Sequence, residues 1–329
     1  MNRYRLAVSL SAVALALMLG SVQSFAQVKF PVRPLRVLIP FAAGGGTDVV
    51  ARIVGQRLGE QIGQPVLIEP RPGAGGAIAV ADLMRSEPDG HSLLLTTSSH
   101  ATLPALNKLG WHPGDDFVPI AAVYSYPFLL VTNAANAARF RNLGEMLAFA
   151  RANPGKLNWG SSGSGGPQHL TGLQFIKLTQ LSMVHVPYRG NGPMIAALNS
   201  NEIQVAFDTQ TLVVPQIEAG RLVPLALASD RRAARLPQVP TFREAGIDLA
   251  IQITNFVLAP KGLPAPIQAV LNREFAAALA DPSVRARLEA LGHTVPLPAE
   301  NTPQAVRQHI DMFQSTYSAL IIEMGIKAE

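Results

Sequence analysis

The sequence predicts an α/β protein of two doubly wound lobes with a ligand cleft between them, and three observations predict it. Short apolar runs alternate with helical patterns over residues 35–97 and again over 157–207. At least two of those runs open into small-residue loops that lead directly into a helix, at 44–47 and 162–168. With 329 residues the chain is long enough for two domains of ordinary size.

The elements follow in order. An apolar run at 35–39 breaks at Pro40, crosses Gly44-Gly45-Gly46 and enters a helical pattern at Thr47. Strand, glycine loop and helix start in that order present bare backbone N–H groups at the positive end of a helix dipole, an anion site without Lys or Arg. Val50, Val54, Leu58 and Ile62 give the helix one apolar face, and Gly63 ends it. Residues 66–69 read as a strand, 71–76 as a second glycine-rich turn, 77–85 as a helix, and 92–97 as a buried strand opening into Ser98-Ser99-His100. That alternation predicts a parallel sheet with ligands outside the carboxyl ends of its strands. Two β-rich runs within 117–133, separated at Tyr126-Pro127, mark the first crossing between lobes.

Beyond the crossing, a helix is expected at 143–153, then the strand and small-residue loop around Ser161-Ser162-Gly163, with Pro167 suited to a first helical position. A strand at 183–187, a helix at 194–199, a strand at 203–207 ending on Asp208-Thr209, a strand at 222–229 and a short helix at 241–245 complete this part. A strand at 256–259 returns to the first lobe, followed by helices at 266–279, 283–291 and 302–324. The lobes are expected to be 27–130 with 256–329, and 131–255.

Composition excludes several classes of function. Hydrophobic residues make up 48% and charged residues 15%, which fits a folded protein and argues against disorder. The formal charge of +5 includes Arg3 and Arg5, and the other basic residues are scattered, whereas a nucleic-acid surface needs them clustered with aromatic partners. Arg3 and Arg5, an uncharged apolar stretch at 6–20 and Ser24-Phe25-Ala26 read as a signal peptide cleaved near Ala26. No later segment is long and apolar enough to span a bilayer, so the expectation is a soluble exported protein. There is no cysteine, hence neither disulfides nor lipid attachment through that residue.

Spacing separates the chemistries that the loops suggest. A dinucleotide fingerprint starting at Gly44 requires glycine where Val49 stands, one at Gly73 requires it at Ile78, and one at Gly163 requires it at Gln168. No phosphate-binding Gly-Lys-Ser/Thr loop is present. Serine hydrolysis, by Ser162 or Ser164 with His100 or His169, is the alternative function. It lacks the elbow pattern, because Ser162 is flanked two residues away by Gly160 and Ser164. Seven histidines form no short-spaced metal pair, and no cofactor is expected. A single glycine loop is more often only a turn. A set of at least two and up to four loops with hydroxyls and few cations, at 44–47, 98–100, 162–168 and 188–191, reads better as an anion cradle.

Pro40-Phe41-x-x-Gly44-Gly45-x-Thr47-Asp48, Arg71-Pro72-Gly73-Ala74-Gly75-Gly76 and Pro88-Asp89-Gly90 resemble the Bug-type periplasmic receptors of tripartite tricarboxylate transporters. So do Gly160-Ser161-Ser162-Gly163 with His169, Val186-Pro187-Tyr188-Arg189-Gly190, Phe207-Asp208 and Pro237-x-Val239-Pro240-Thr241-x-x-Glu244-Ala245-Gly246. The resemblance implies a two-lobed periplasmic binding fold (Venus flytrap), a monomer that captures a small carboxylate and delivers it to membrane components of such a transporter. It implies no enzyme activity. Carried over by position, Phe41, Gly45, Gly46, Thr47, Ser99, His100, Ser162, Gly163 and Gln168 line the site, and Asp208 meets an amino group when the ligand is an amino acid. Ala42, Ala43, Gly46, Ala77 and Asn255-Phe256 depart from residues common in the family, which bears on the distal pocket.

Overall fold

A computed structural model describes residues 30–106, 109–323 and 325. The expected signal peptide, residues 1–26, lies outside the described residues. The first sheet contains β1 (Leu35–Ile39), β2 (Val66–Pro70), β3 (Ser92–Thr97), β4 (Phe117–Tyr126) and β10 (Ile253–Pro260), in the order β2-β1-β3-β10-β4. The second contains β5 (Phe128–Asn133), β6 (Asn158–Ser161), β7 (Val184–Pro187), β8 (Val205–Thr209) and β9 (Leu222–Leu227), in the order β7-β6-β8-β5-β9.

The sheets are mixed, where the sequence had suggested parallel ones. β10 runs antiparallel to β3 and β4, and β5 runs antiparallel to β8 and β9. The cause is topological. Strands of both sheets end at the cleft, so a chain that crosses it must enter the next sheet running away from the cleft. β5 follows β4 after Pro127 alone, and β10 follows β9 after the longer connection 228–252. Proline fixes one backbone angle at the first of these crossings.

The helices cover the sheets. α1 (Gly46–Ile62) buries Val50, Val54 and Leu58, leaves Ile62 partly buried, and stops at Gly63, whose φ of +67° forms a left-handed cap. Burial of each Val or Leu contributes about 1.5–3 kcal/mol. α2 (Ala77–Met84) follows β2, and α3 (Leu103–Leu106) is a single turn. α4 (Leu143–Ala152), α5 (Pro167–Thr179), α6 (Asn191–Asn199) and α7 (Gln210–Glu218) accompany the second sheet. α8 (Ala265–Ala280), α9 (Pro282–Ala290) and α10 (Pro303–Glu323) return to the first, with α8 and α10 packed on β4. No helix among the described residues is long and apolar enough to cross a membrane.

Three local expectations need correction. α6 begins at Asn191, not at 194, so the turn before it is shorter than the sequence suggested. α7 was not expected, because Pro215 lies inside it and forgoes one helical hydrogen bond. Residues 241–245 form turns instead of a helix. Thr241 N–H donates to Glu244 Oε2 at 2.8 Å and Glu244 N–H to Thr241 Oγ1 at 3.2 Å, a capping box, but Gly246 at φ +80° turns the chain before a helix propagates.

The second lobe allows a sharp test of core fit. A β-carbon on Gly172 of α5 would fall inside the van der Waals envelope of the fully buried Trp159 ring. Gly172→Ala is expected to lower stability by about 1–3 kcal/mol, as overpacking does, despite alanine's better helix propensity. Chemical denaturation checks it, and a variant as stable as wild type would mean that Trp159 has room to move.

Candidate functional site

Four helix N-termini converge on one cavity. It is lined by Phe41, by Gly46 and Thr47 of α1, by Ser162 with Pro167 and Gln168 of α5, by Asn191 of α6, by Thr209 at the start of α7, and by Tyr124, Tyr126 and His293. The first N–H groups of any helix have no partner within it. None of these four N-termini receives a side-chain cap. Among the described residues that line the cavity there is no Lys or Arg.

The first loop leaves β1 at Ile39 and turns through Gly44, at φ +79°. Asp48, in the first turn of α1, bends back to accept from Gly44 N–H at 2.9 Å and pairs with Arg52 at 2.9 Å. Burial opposes its charge, but the bonds from Arg52 and Gly44 outweigh it and hold the carboxyl below its usual range. The acid is thus committed to bracing the loop. Across the cavity, Tyr124 donates to Thr47 Oγ1 at 3.3 Å.

The second loop is held from beneath by two stacked imidazoles. His169 and His185 lie 4.0 Å apart and nearly parallel, at 7°. His169 Nδ1 accepts from Gly165 N–H at 2.8 Å, and His185 Nε2 meets Ser161 Oγ at 2.7 Å. Burial lowers the pKa of His169 to about 4; burial, then the neighbouring His169 charge, lowers that of His185 to about 3. Both rings are neutral near pH 7. Ser162 Oγ donates to Gln168 Oε1 at 2.5 Å, leaving the Gln168 amide to donate. Because Ser162 serves Gln168 and His169 serves Gly165, the hydroxyl is not aligned on a histidine as a nucleophile requires.

Asp208 does not itself line the cavity but is bonded to Asn191 and Thr209, which do. It has no exposed surface, and its Oδ1 accepts from Asn191 Nδ2 at 2.8 Å and from Thr209 N–H at 2.7 Å. Its Oδ2 has no hydrogen-bond partner among the described residues, although the Gln168 amide is near enough to favour the ionised form. Burial dominates and pushes the Asp208 pKa up to about 7.

Of the residues chosen from sequence, Phe41, Gly46, Thr47, Ser162 and Gln168 meet around this cavity. Gly45 sits behind them as the N-cap of α1, and Gly163 lies within the second loop at φ +148° without lining the cavity. Ser99 and His100 do not line it. Residues 98–102 wind into a 3-10 turn that carries the His100 ring into the first lobe's core, stacked on Trp111 at 5.0 Å and edge-on to Phe117 at 4.8 Å. Burial lowers its pKa to about 4 against the Pro113 carbonyl, so it carries no charge for an anion. Ser99 Oγ bonds Thr97 Oγ1 at 2.8 Å.

Tyr124, Tyr126, Thr209 and His293 are not among the residues that the sequence points to, and Asn191 is reached only as the last residue of the 188–191 loop. The carboxyl-end rule points to both tyrosines, which lie in the last three residues of β4, and to Thr209, which closes β8. His293 follows a helix and carries no sequence signal. Paired bonds between Ser125 and Thr294, each 2.8 Å, bring it to the end of β4.

A family model described as tripartite tricarboxylate transporter family receptor matches residues 50–326. The chain belongs to that family. Among its relatives is BugT of Bordetella pertussis, 32% identical over 302 residues and 91% of each chain. The solved periplasmic binding protein BugD is 30% identical, with a TM-score of 0.85 over 91% of this chain and all of that one. MatC of Rhodopseudomonas palustris, solved with bound malate, is 32% identical, with a TM-score of 0.83 over 89% of this chain and all of that one. The two sheets and their crossings are therefore the two-lobed periplasmic binding protein fold of Bug-type receptors, and the cavity lies where its lobes meet.

Proposed function

We propose that this Bug-type receptor captures a small carboxylate outside the cytoplasm and delivers it to the membrane components of a tripartite tricarboxylate transporter. The supporting observation is the meeting of four uncapped helix N-termini in a cavity whose lining, among the described residues, has no Lys or Arg. An anion is the ligand that such a field favours. A relative that holds malate supports the same class. The lobes, expected at 27–130 with 256–329 and at 131–255, are taken as 27–127 with 253–329, and 128–252, so that β5 and β10 each stay whole, working as a monomer after removal of residues 1–26. Phe41, Gly45, Gly46, Thr47, Ser162, Gly163 and Gln168 form the grip, with Asp208 beneath it.

Magnitudes restrict how the grip works. A partly buried N-terminus contributes up to about 2 kcal/mol, so four sum to about the 8 kcal/mol of micromolar affinity. Association itself costs about 4–15 kcal/mol. Hydrogen bonds from backbone N–H groups, Ser162, Thr209 and the Gln168 amide, strengthened by exclusion of water, must supply the difference.

Thermal-shift and calorimetric titration of the purified protein test the reading. At least one mono-, di- or tricarboxylate should raise the melting temperature and bind at micromolar or better. Ligand at 100 times its Kd adds about 2.7 kcal/mol. Stabilisation by a neutral sugar or a cation, with no response to any carboxylate, would sink the proposal.

A further inference from the structure

We propose that capture of a carboxylate draws one proton from solvent onto Asp208, so that the buried acid gives up its charge as the ligand brings one in. This rests on the carboxylate reading above and adds to it the pH at which the site fills.

Asp208 is placed to feel any charge in the cavity. Its Oδ1 accepts from Asn191 Nδ2 at 2.8 Å and from Thr209 N–H at 2.7 Å, and the Gln168 amide is close by. Asn191, Thr209 and Gln168 all line the cavity. A ligand oxygen in contact with them stands roughly 6 Å from the carboxyl, two hydrogen-bond lengths away. The side chain has no exposed surface, so protein and not bulk water fills that gap. The described lining has no Lys or Arg to offset either charge.

Two anions so placed resist each other. At an effective dielectric of ~20, a unit charge ~6 Å away raises a carboxyl by about two pH units. Burial already lifts Asp208 to about 7, so with an anion beside it the acid keeps its proton through pH 8. Oδ1 already accepts two hydrogen bonds, and Oδ2, without a hydrogen-bond partner among the described residues, is open to that proton.

The other groups around β8 hold their charge state between pH 6.5 and 8.5. β5 and β6, its neighbours in the sheet, carry no titratable side chain, and neither does α6. α5 carries His169, kept neutral by burial that lowers it to about 4, and Lys177, paired with Glu323. α7 carries Glu218, paired with Arg235. From the first lobe, burial raises Tyr124 and Tyr126 and lowers His293 to about 4, so all three stay neutral. Asp48 stays ionised against Arg52.

Calorimetry of the purified protein tests this with benzoate, succinate, glutarate and glutamate, whose own carboxyls titrate below that range. Each titration is run in Tris and in HEPES, which differ in ionisation enthalpy, so the difference in binding heat counts protons. At pH 8 the tightest non-amino acid of the four is expected to take up roughly 0.8 proton, and its Kd to rise more than tenfold from pH 6.5 to 8.5. Asp208→Asn should abolish the uptake and flatten the pH profile. A carboxylate that binds wild type with no uptake at pH 8 would overturn the proposal and leave the grip standing. Uptake that persists in Asp208→Asn would do the same. So would glutamate binding without uptake and more tightly as pH rises, because Asp208 would then be ionised against its ammonium. Failure of all four acids to bind would count against the grip itself and take the coupling with it.

Discussion

Gly46→Val is expected to abolish carboxylate capture, with a loss of about 100-fold or more, while the protein stays folded. Gly46 is the first residue of α1, and a β-carbon there would stand 3.4 Å from Thr209 Oγ1. A valine's two further carbons must share with the ligand the space between two of the converging N-termini. A hundredfold is about 2.7 kcal/mol, a small part of what exclusion from the grip costs. The helix itself loses nothing, since valine has a better helical propensity than glycine. Isothermal calorimetry with any carboxylate that binds wild type, beside thermal melting of both proteins, separates the effects. Retained affinity would take the grip away from α1.

Asp208→Asn is expected to make the protein more stable at pH 8 and to leave it unchanged near pH 4. Asp208 is fully buried, and its pKa is raised to about 7. In the unfolded chain it ionises near 4. Below pH 4 both states hold the proton and the group contributes nothing to pH dependence. Between 4 and 7 the unfolded chain releases it while the folded one keeps it, so stability falls as pH rises. Above 7 both are ionised and the penalty is constant, at roughly 4 kcal/mol from 1.36 kcal/mol per pH unit. Asparagine keeps an oxygen for Asn191 and Thr209 and has no charge to bury. Scanning calorimetry of both proteins from pH 4 to 8 reads the difference. A variant that melts below wild type at pH 8 would show that the ionised form is held more firmly than its burial penalises it.

Much of the site was legible because glycine and proline announce backbone requirements. Gly44 needs positive φ, and Pro167 can begin a helix, so both loops could be found without knowing what they face. What faces them was less legible. Tyr124 and Tyr126 read as ordinary strand residues until the crossing at Pro127 places them at a cleft. His293 reaches the cavity through a two-residue bridge, Ser125 to Thr294, which leaves no periodic trace. Ser99 and His100, expected at the site, lie away from the cavity. A polar loop at a strand end suggested ligand contact, but a 3-10 turn directed the His100 ring into the core. Pro215 hid α7, and with it the fourth N-terminus.

The lack of Lys and Arg among the described residues that line the cavity bears on how a carboxylate, held as proposed, would leave. A full charge attracts an anion over a Debye length of about 8 Å in physiological salt. The effect of a helix terminus fades within its own last turn. A grip made of such termini is strong only while the two sides touch the same molecule. Parting them by a few ångströms ends the attraction, with no ion pair to break and no counter-ion to supply. Under the proposed function, release to a membrane protein would then need only a small opening, and the residence time would be set by how long the lobes remain shut.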